Sequence, residues 1–218
     1  NDGVVLAELE PAVPTSATPD YYALVTRTVA RLQAAASLDE LCEAVTEEIR
    51  ALTGHDRVMI YRFHPDGHGE IIGESRRPDM PSWIGLHYPA EDIPAPARAV
   101  FQKLWIRPII DVDGPLAELC PLARPDTGGP LVMTHCVLRG ASQMYTRYLR
   151  NMGVTAGLTL SLRQGEHLWG FISCHHYSGP HPVPFAQRAA CEFLAQATSR
   201  QLRVSDKRER LQQELRIA

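Results

Sequence analysis

Four kinds of side chain in this sequence could do more than pack. Cys174-His175-His176 sets a thiol and two imidazoles in a row, the pattern of a metal or redox site. Neighbouring strand residues point to opposite faces, however, so the three cannot converge on one ion. Arg107 and Arg139 carry planar guanidinium forks that can grip a carboxylate with two parallel hydrogen bonds, although most arginines are exposed salt-bridge residues. Tyr61, Tyr88, Tyr145 and Tyr148 offer phenol groups at the ends of apolar rings; by composition alone they are core or rim aromatics. Asp92, ahead of Ile93-Pro94, is by spacing alone a turn or helix-start residue. His175 by itself reads equally as a hydrogen-bonded core histidine or a ligand contact. The five cysteines Cys42, Cys120, Cys136, Cys174 and Cys191 are scattered without a CxxC pair, so reduced thiols are expected. Cys136 is either an inert buried thiol or a substitute attachment or redox site. No nucleophile–base pair or paired carboxylate stands at a telling spacing, so no enzyme active site is expected.

The elements that position these groups can be read from periodicity and turn chemistry. Val4–Glu10 reads as a short strand, and the Pro-, Ser- and Thr-rich stretch after it as a linker. Tyr21, Leu24, Val25, Val29 and Leu32 mark a first helix; Ser37 and Glu40 form a capping box for a second, which stops at Gly54. Residues 57–63 and 69–75 are strands joined by His64-Pro65-Asp66-Gly67-His68. From 76 to 139 the chain is proline-rich and irregular apart from a helix over 95–103, and a loop of that length marks the place for a ligand. A helix around 142–152 ends at Gly153, strands follow at 156–162 and 167–176, and 185–217 forms a long helix with an increasingly charged end. The charged stretch 203–216 reads first as a solvated helix face and second as a parallel dimer helix, since Val204, Leu211 and Leu215 keep approximate apolar spacing. Helices flanking a five- or six-stranded antiparallel sheet with a long loop insertion describe an α+β fold with a pocket.

The 218 residues, 44% apolar and 22% charged, match an ordinary globular chain able to bury a core without staples. A formal charge of −3 leaves no basic field for nucleic acid. No apolar run spans a bilayer and no signal-peptide pattern opens the chain, so a cytoplasmic location away from membranes is expected.

Three segments carry a resemblance. Trp83-Ile84-Gly85-Leu86-His87-Tyr88-Pro89-Ala90-Glu91-Asp92-Ile93-Pro94, Arg147-Tyr148-Leu149-Arg150-Asn151-Met152-Gly153-Val154 and Leu168-Trp169-Gly170-Phe171-Ile172-Ser173-Cys174-His175-His176 resemble the GAF domain of a phytochrome, in order and spacing. The resemblance divides the chain into 1–12, the end of a preceding PAS domain; 13–20, a linker; 21–202, the GAF domain; and 203–218, a helix leading to an output module. It implies a pocket for a linear tetrapyrrole of biliverdin type, light-driven isomerisation as the signal, and a homodimer formed through helices. By match, Asp92 turns its backbone carbonyl to the pyrrole nitrogens, and Ile93 and Pro94 pack on the pigment. Arg107, Arg139 and Ser142 hold propionates. Tyr61, Tyr88 and Tyr148 surround the isomerising ring, and His175 bonds its carbonyl. Any catalysis lies in the output module.

The sequence also departs from that family. Tyr145 stands where a pocket histidine is usual, and a phenol with an ordinary pKa of about 10 is a poor proton carrier near neutrality. Met144 stands where plant and cyanobacterial members have their bilin-linking cysteine, and a thioether cannot add to a vinyl group. Gly157 replaces a common propionate-binding serine, while Thr159 keeps a hydroxyl nearby. The alternative implied by these changes is a bilin-free domain working in dimerisation, protein interaction or redox sensing.

Overall fold

The computed structural model describes residues 4–11 and 20–217, with side chains up to 204. Two N-terminal helices form where the caps predict them. In α1 (Tyr21–Ala34) the Asp20 carboxylate accepts from Ala23 N–H at 3.1 Å. In α2 (Leu38–Thr53) Ser37 accepts from Glu40 N–H at 3.1 Å, and the Glu40 carboxylate reaches back to Ala36 N–H at 2.8 Å. Gly54 ends α2 at φ 70, a left-handed turn that costs glycine nothing.

The strands are β1 (Arg57–Phe63), β2 (Gly69–Arg76), β3 (His87–Tyr88), β4 (Ile106–Ile109), β5 (Ala156–Gln164) and β6 (His167–His176). They form one antiparallel sheet in the order β3-β2-β1-β6-β5-β4. Between them lie a 3-10 turn over Ala90–Asp92, helix α3 (Ala95–Lys103) and helix α4 (Gln143–Asn151); α5 (Phe185–Ile217) closes the chain. The expected α+β sheet is thus six-stranded, and helix α3 has the predicted bounds.

Alternation along the strands gives the sheet two unlike faces. Val58 and Ile60 of β1, Leu158, Leu160 and Leu162 of β5, and Ile172 and Cys174 of β6 point to one side, where α1, α2 and α5 cover them in a closed core. Helix α2 lies so close that a Cβ on Gly73 would sit 2.7 Å from the Cys42 Cβ. On the other side Met59, Tyr61 and Phe171 build a smaller cluster under the long insertion.

Two expectations need correction. Residues 4–11 form no strand: they are exposed with no ladder partner, because a strand needs a neighbouring edge and this segment is held by the Glu8 and Glu10 carboxylates instead. The 76–139 stretch is not irregular outside α3, since it supplies β3, the 3-10 turn and β4. Strand β4 hid because Ile106-Arg107-Pro108-Ile109 is only four residues long and contains a proline; it is tolerated there because β4 lies at the sheet edge. The linker over 12–19 and the dimer-helix spacing of Leu211 and Leu215 lie outside the described residues.

Candidate functional site: an arginine- and tyrosine-lined cavity

The floor of the site is one cross-strand row. Met59 on β1 pairs with Ser173 on β6, Ser173 with Thr159 on β5, and Thr159 with Arg107 on β4. Partners in an antiparallel ladder share a face, so this register places four pocket groups side by side. The next row pairs Arg57 with His175 and His175 with Gly157. Above the floor is a cavity of about 460 Å³. Its walls come from the 3-10 turn, α3, α4 and the loop before α4. It brings together Asp92, Ile93, Pro94, Tyr61, Tyr88, Arg107, Arg139, Ser142, Met144, Tyr145, Tyr148, Thr159 and His175, residues far apart in sequence.

Sequence reasoning did not single out the apolar lining of Met59, Ile71, Trp83, Val100, Phe101, Leu149, Met152 and Phe171. Its signal was available: Met59, Tyr61, Phe171, Ser173 and His175 share one strand parity. It also missed Arg98, which fixes the Asp92 segment by donating to Ile93 O at 2.6 Å, Ala90 O at 3.0 Å and Gly67 O at 2.6 Å while lying over the Phe63 ring. Asp92 itself is exposed at the rim.

The tyrosines are held neutral. Tyr61 lies across Gly69, where a Cβ would meet its ring at 1.8 Å, and burial pushes its phenol up to about 12. Burial likewise raises Tyr88 and Tyr148. Tyr145 sits with its hydroxyl 2.9 Å from Thr159 Oγ1. Burial raises its phenol pKa and the Thr159 contact opposes the rise. The residue in the histidine position is therefore tied to the floor and remains a protonated phenol at neutral pH.

His175 is buried with Ser173 Oγ 3.2 Å from Nε2 and Tyr177 Oη 3.5 Å from Nδ1. Burial, then the neighbouring Arg57 charge, depresses its pKa to about 3, so it is a neutral imidazole. Arg57 is itself buried, paired with Glu74, donating to Pro81 O at 2.8 Å and lying 4.0 Å from the Trp83 ring centre. Trp83 meets the His175 ring edge-on at 6.0 Å. A buried ion pair and an indole thus stand beside the pocket histidine.

The charged end of the cavity holds two arginines. Arg107, 6% exposed, donates to Gly140 O at 2.7 Å and to Val137 O at 3.4 Å. Burial and the nearby Arg139 lower its pKa to about 10, still leaving it cationic at neutral pH. Arg139 also lines the cavity, and its Nε is buried without a hydrogen-bond partner. The Nε atoms of Arg50, Arg57 and Arg163 are buried without a partner as well, so what bears on a ligand is that two guanidinium groups line one cavity, where a carboxylate could pair with them. Ser142 spends its hydroxyl as the cap of α4, accepting from Tyr145 N–H at 3.3 Å, and Met144 is 63% exposed.

The remaining candidates disperse. Cys174 faces the helical core, His175 the cavity, and His176 lies beside Asp56 at 3.1 Å. Among the described residues no group of three His, Cys, Asp or Glu side chains could hold a metal ion. Cys136 lines a separate hollow of about 210 Å³ with Val4, Leu6 and Glu8. Burial raises its thiol pKa, as it raises those of Cys42 and Cys191 to about 12. Few thiolates exist near neutrality at such sites, which argues against a redox role for them. No helix among the described residues is long and apolar enough to cross a membrane.

Residues 37–205 match the model of the GAF domain. The chain is 43% identical over 196 residues to the phytochrome-like protein Cph1 of Synechocystis, a match covering 89% of this chain and 26% of that protein. It is 40% identical to cyanobacterial phytochrome A of Nostoc, over 88% of this chain and 25% of that one. It therefore spans about a quarter of the length of these relatives. Among solved structures, the chromophore-binding domain of an R. palustris bacteriophytochrome superposes with a TM-score of 0.87 at 36% identity, covering 92% of this chain and 66% of that one. That of a Stigmatella aurantiaca phytochrome gives 0.80 at 41% identity, over 87% and 63%. The segments that resembled phytochromes and the six-stranded sheet agree with these matches: the chain belongs to the GAF domain family, in its phytochrome-like form.

Proposed function

We propose that the cavity binds a linear tetrapyrrole of biliverdin type and that the chain is the sensory GAF domain of a phytochrome-like photoreceptor. The observation that carries this reading is the pairing of an apolar and aromatic cavity with two arginines, Arg107 and Arg139, on its wall. A flat conjugated molecule bearing carboxylates suits both halves: rings against Met59, Ile93, Phe101 and Tyr148, carboxylates against Arg107 and Arg139. When bound, such a pigment supplies absorption of visible light and isomerisation about a double bond. The protein's own part is to orient it and keep water out. Neutral His175 and the protonated tyrosines present hydrogen bonds without adding charge to the apolar end. The cavity wall offers no thiol, so covalent attachment calls for a cysteine from elsewhere in the full-length protein. Signal transfer to an output module, homodimerisation through helices and a cytoplasmic setting belong to the same reading.

The test is an absorption spectrum of the full-length protein with biliverdin, before and after red illumination, with a denaturing gel under zinc for covalent pigment. A shifted band that changes reversibly with light supports the reading. Arg107→Gln and Arg139→Gln should each weaken binding by roughly tenfold or more, as expected for losing a charge-assisted pair. A spectrum identical to free biliverdin, unchanged in Tyr145→His and in Tyr145→His with Met144→Cys, overturns it and leaves the bilin-free interaction module. That second reading draws on the Tyr145–Thr159 bond, which satisfies two pocket hydroxyls with each other.

A further inference from the structure

We infer that Glu8, in the segment ahead of the domain, is a positioning residue for the two-arginine carboxylate seat of the cavity. The inference rests on the pigment reading above. Glu8 and Glu10 lie in the segment 4–11, and each reaches a distant part of the domain. The Glu8 carboxylate accepts from two successive backbone amides of a distant loop, Val137 N–H at 2.9 Å and Leu138 N–H at 2.6 Å, one oxygen to each. Arg107 holds the same run from the cavity side through Val137 O and Gly140 O. The Val137 residue is thus gripped from both directions, its N–H by Glu8 and its carbonyl by Arg107. Arg139 lies in the chain between these anchor points and lines the cavity.

Fixing residues 137–140 fixes the direction in which Arg139 enters the pocket. Glu8 also places a negative charge behind two guanidiniums that repel each other before a ligand arrives, and it works against the lowering that burial and Arg139 impose on Arg107. Glu10 anchors the segment independently: it pairs with Arg188, 6% exposed, which also donates to Val183 O at 2.7 Å at the start of α5. A carboxylate outside the cavity therefore preorganises the residues that bind carboxylates inside it.

The test uses the full-length protein with two probes, biliverdin and its dimethyl ester, which lacks the free carboxylates. Glu8→Ala should weaken biliverdin binding by about tenfold, the loss of a charge-assisted bond, and change ester binding less than about twofold. Glu8→Gln keeps one acceptor and should fall between. Equal weakening of both probes, or no change in either, overturns the positioning role. Hydrogen exchange without pigment reads the clamp itself: the Val137 and Leu138 amides should exchange at least about tenfold faster in Glu8→Ala, with the β5 amides unaltered. Unchanged exchange overturns the inference. Failure of the unsubstituted protein to bind either probe overturns the pigment reading and the carboxylate role of Glu8 with it, while exchange still decides whether the clamp exists.

Discussion

The two faces of one sheet follow opposite rules. Toward α1, α2 and α5 the residues Val58, Ile60, Leu158, Leu160, Ile172 and Cys174 interlock in a dry core, each no more than 1% exposed. One residue along each strand, Met59, Tyr61, Thr159, Ser173 and His175 face a cavity of about 460 Å³ bearing arginine, tyrosine and histidine groups. The first face maximises contact and satisfies no ligand. The second leaves space and lines it with polar groups. Stability and binding are thus divided between alternate residues of the same strands.

The sharpest way to break that contrast is truncation. Leu160→Ala on the closed face should cost about 2–5 kcal/mol in urea unfolding, because it opens a cavity where none exists. Met59→Ala beside the existing cavity should cost roughly half as much, since part of its surroundings is already empty. Equal losses would mean the two faces are packed alike.

Acid should come next. His55 and His175 are both buried, with burial depressing each to about 3. The folded pKa lies below the unfolded value, so the unfolded chain binds more protons once the pH falls under about 6.5. Stability is therefore complete above that pH and falls toward pH 3, by about 1.4 kcal/mol per pH unit for each group. Unfolding measured against pH should show a shallower fall in His175→Gln, the pocket's share, with the remainder removed by substituting His55. No change in slope for His175→Gln would show that the pocket face leaves its histidine solvated.

Tyr145→Phe should cost about 1 kcal/mol in thermal unfolding by stranding the Thr159 hydroxyl on the cavity floor. The smallest effect compares two caps. Ser37→Ala under the core helices and Ser142→Ala at the cavity should each cost about 1 kcal/mol or less, yet only Ser142→Ala should alter pigment affinity. If it does not, the Ser142 hydroxyl serves the helix alone.

The helices were legible because caps and periodicity are local: Ser37, Glu40 and Gly54 bracket α2, and β1, α3 and α5 have their predicted bounds. Strands β3 and β4 were not, since a two-residue and a four-residue edge strand carry no period. The strand expected over Val4–Glu10 had strand-like residues and no partner edge. At the site, the phytochrome resemblance pointed to thirteen residues that line the cavity before the fold was known, and missed most of its apolar wall. It did not show that Ser142 would be occupied as a helix cap, that Tyr145 would bond Thr159, or that Cys136 would lie in another hollow.

The sequence by itself determined which residues alternate, where helices start and stop, and which segments look phytochrome-like, because these depend on neighbours a few positions apart. Only the tertiary structure decided that Met59, Ser173, Thr159 and Arg107 share one row, that Arg139 lines the same cavity as Arg107, and that Glu8 reaches the loop that carries Arg139 and accepts from Arg107. Register and burial set these facts. Both arise from contacts between segments far apart in the chain, which no local pattern encodes.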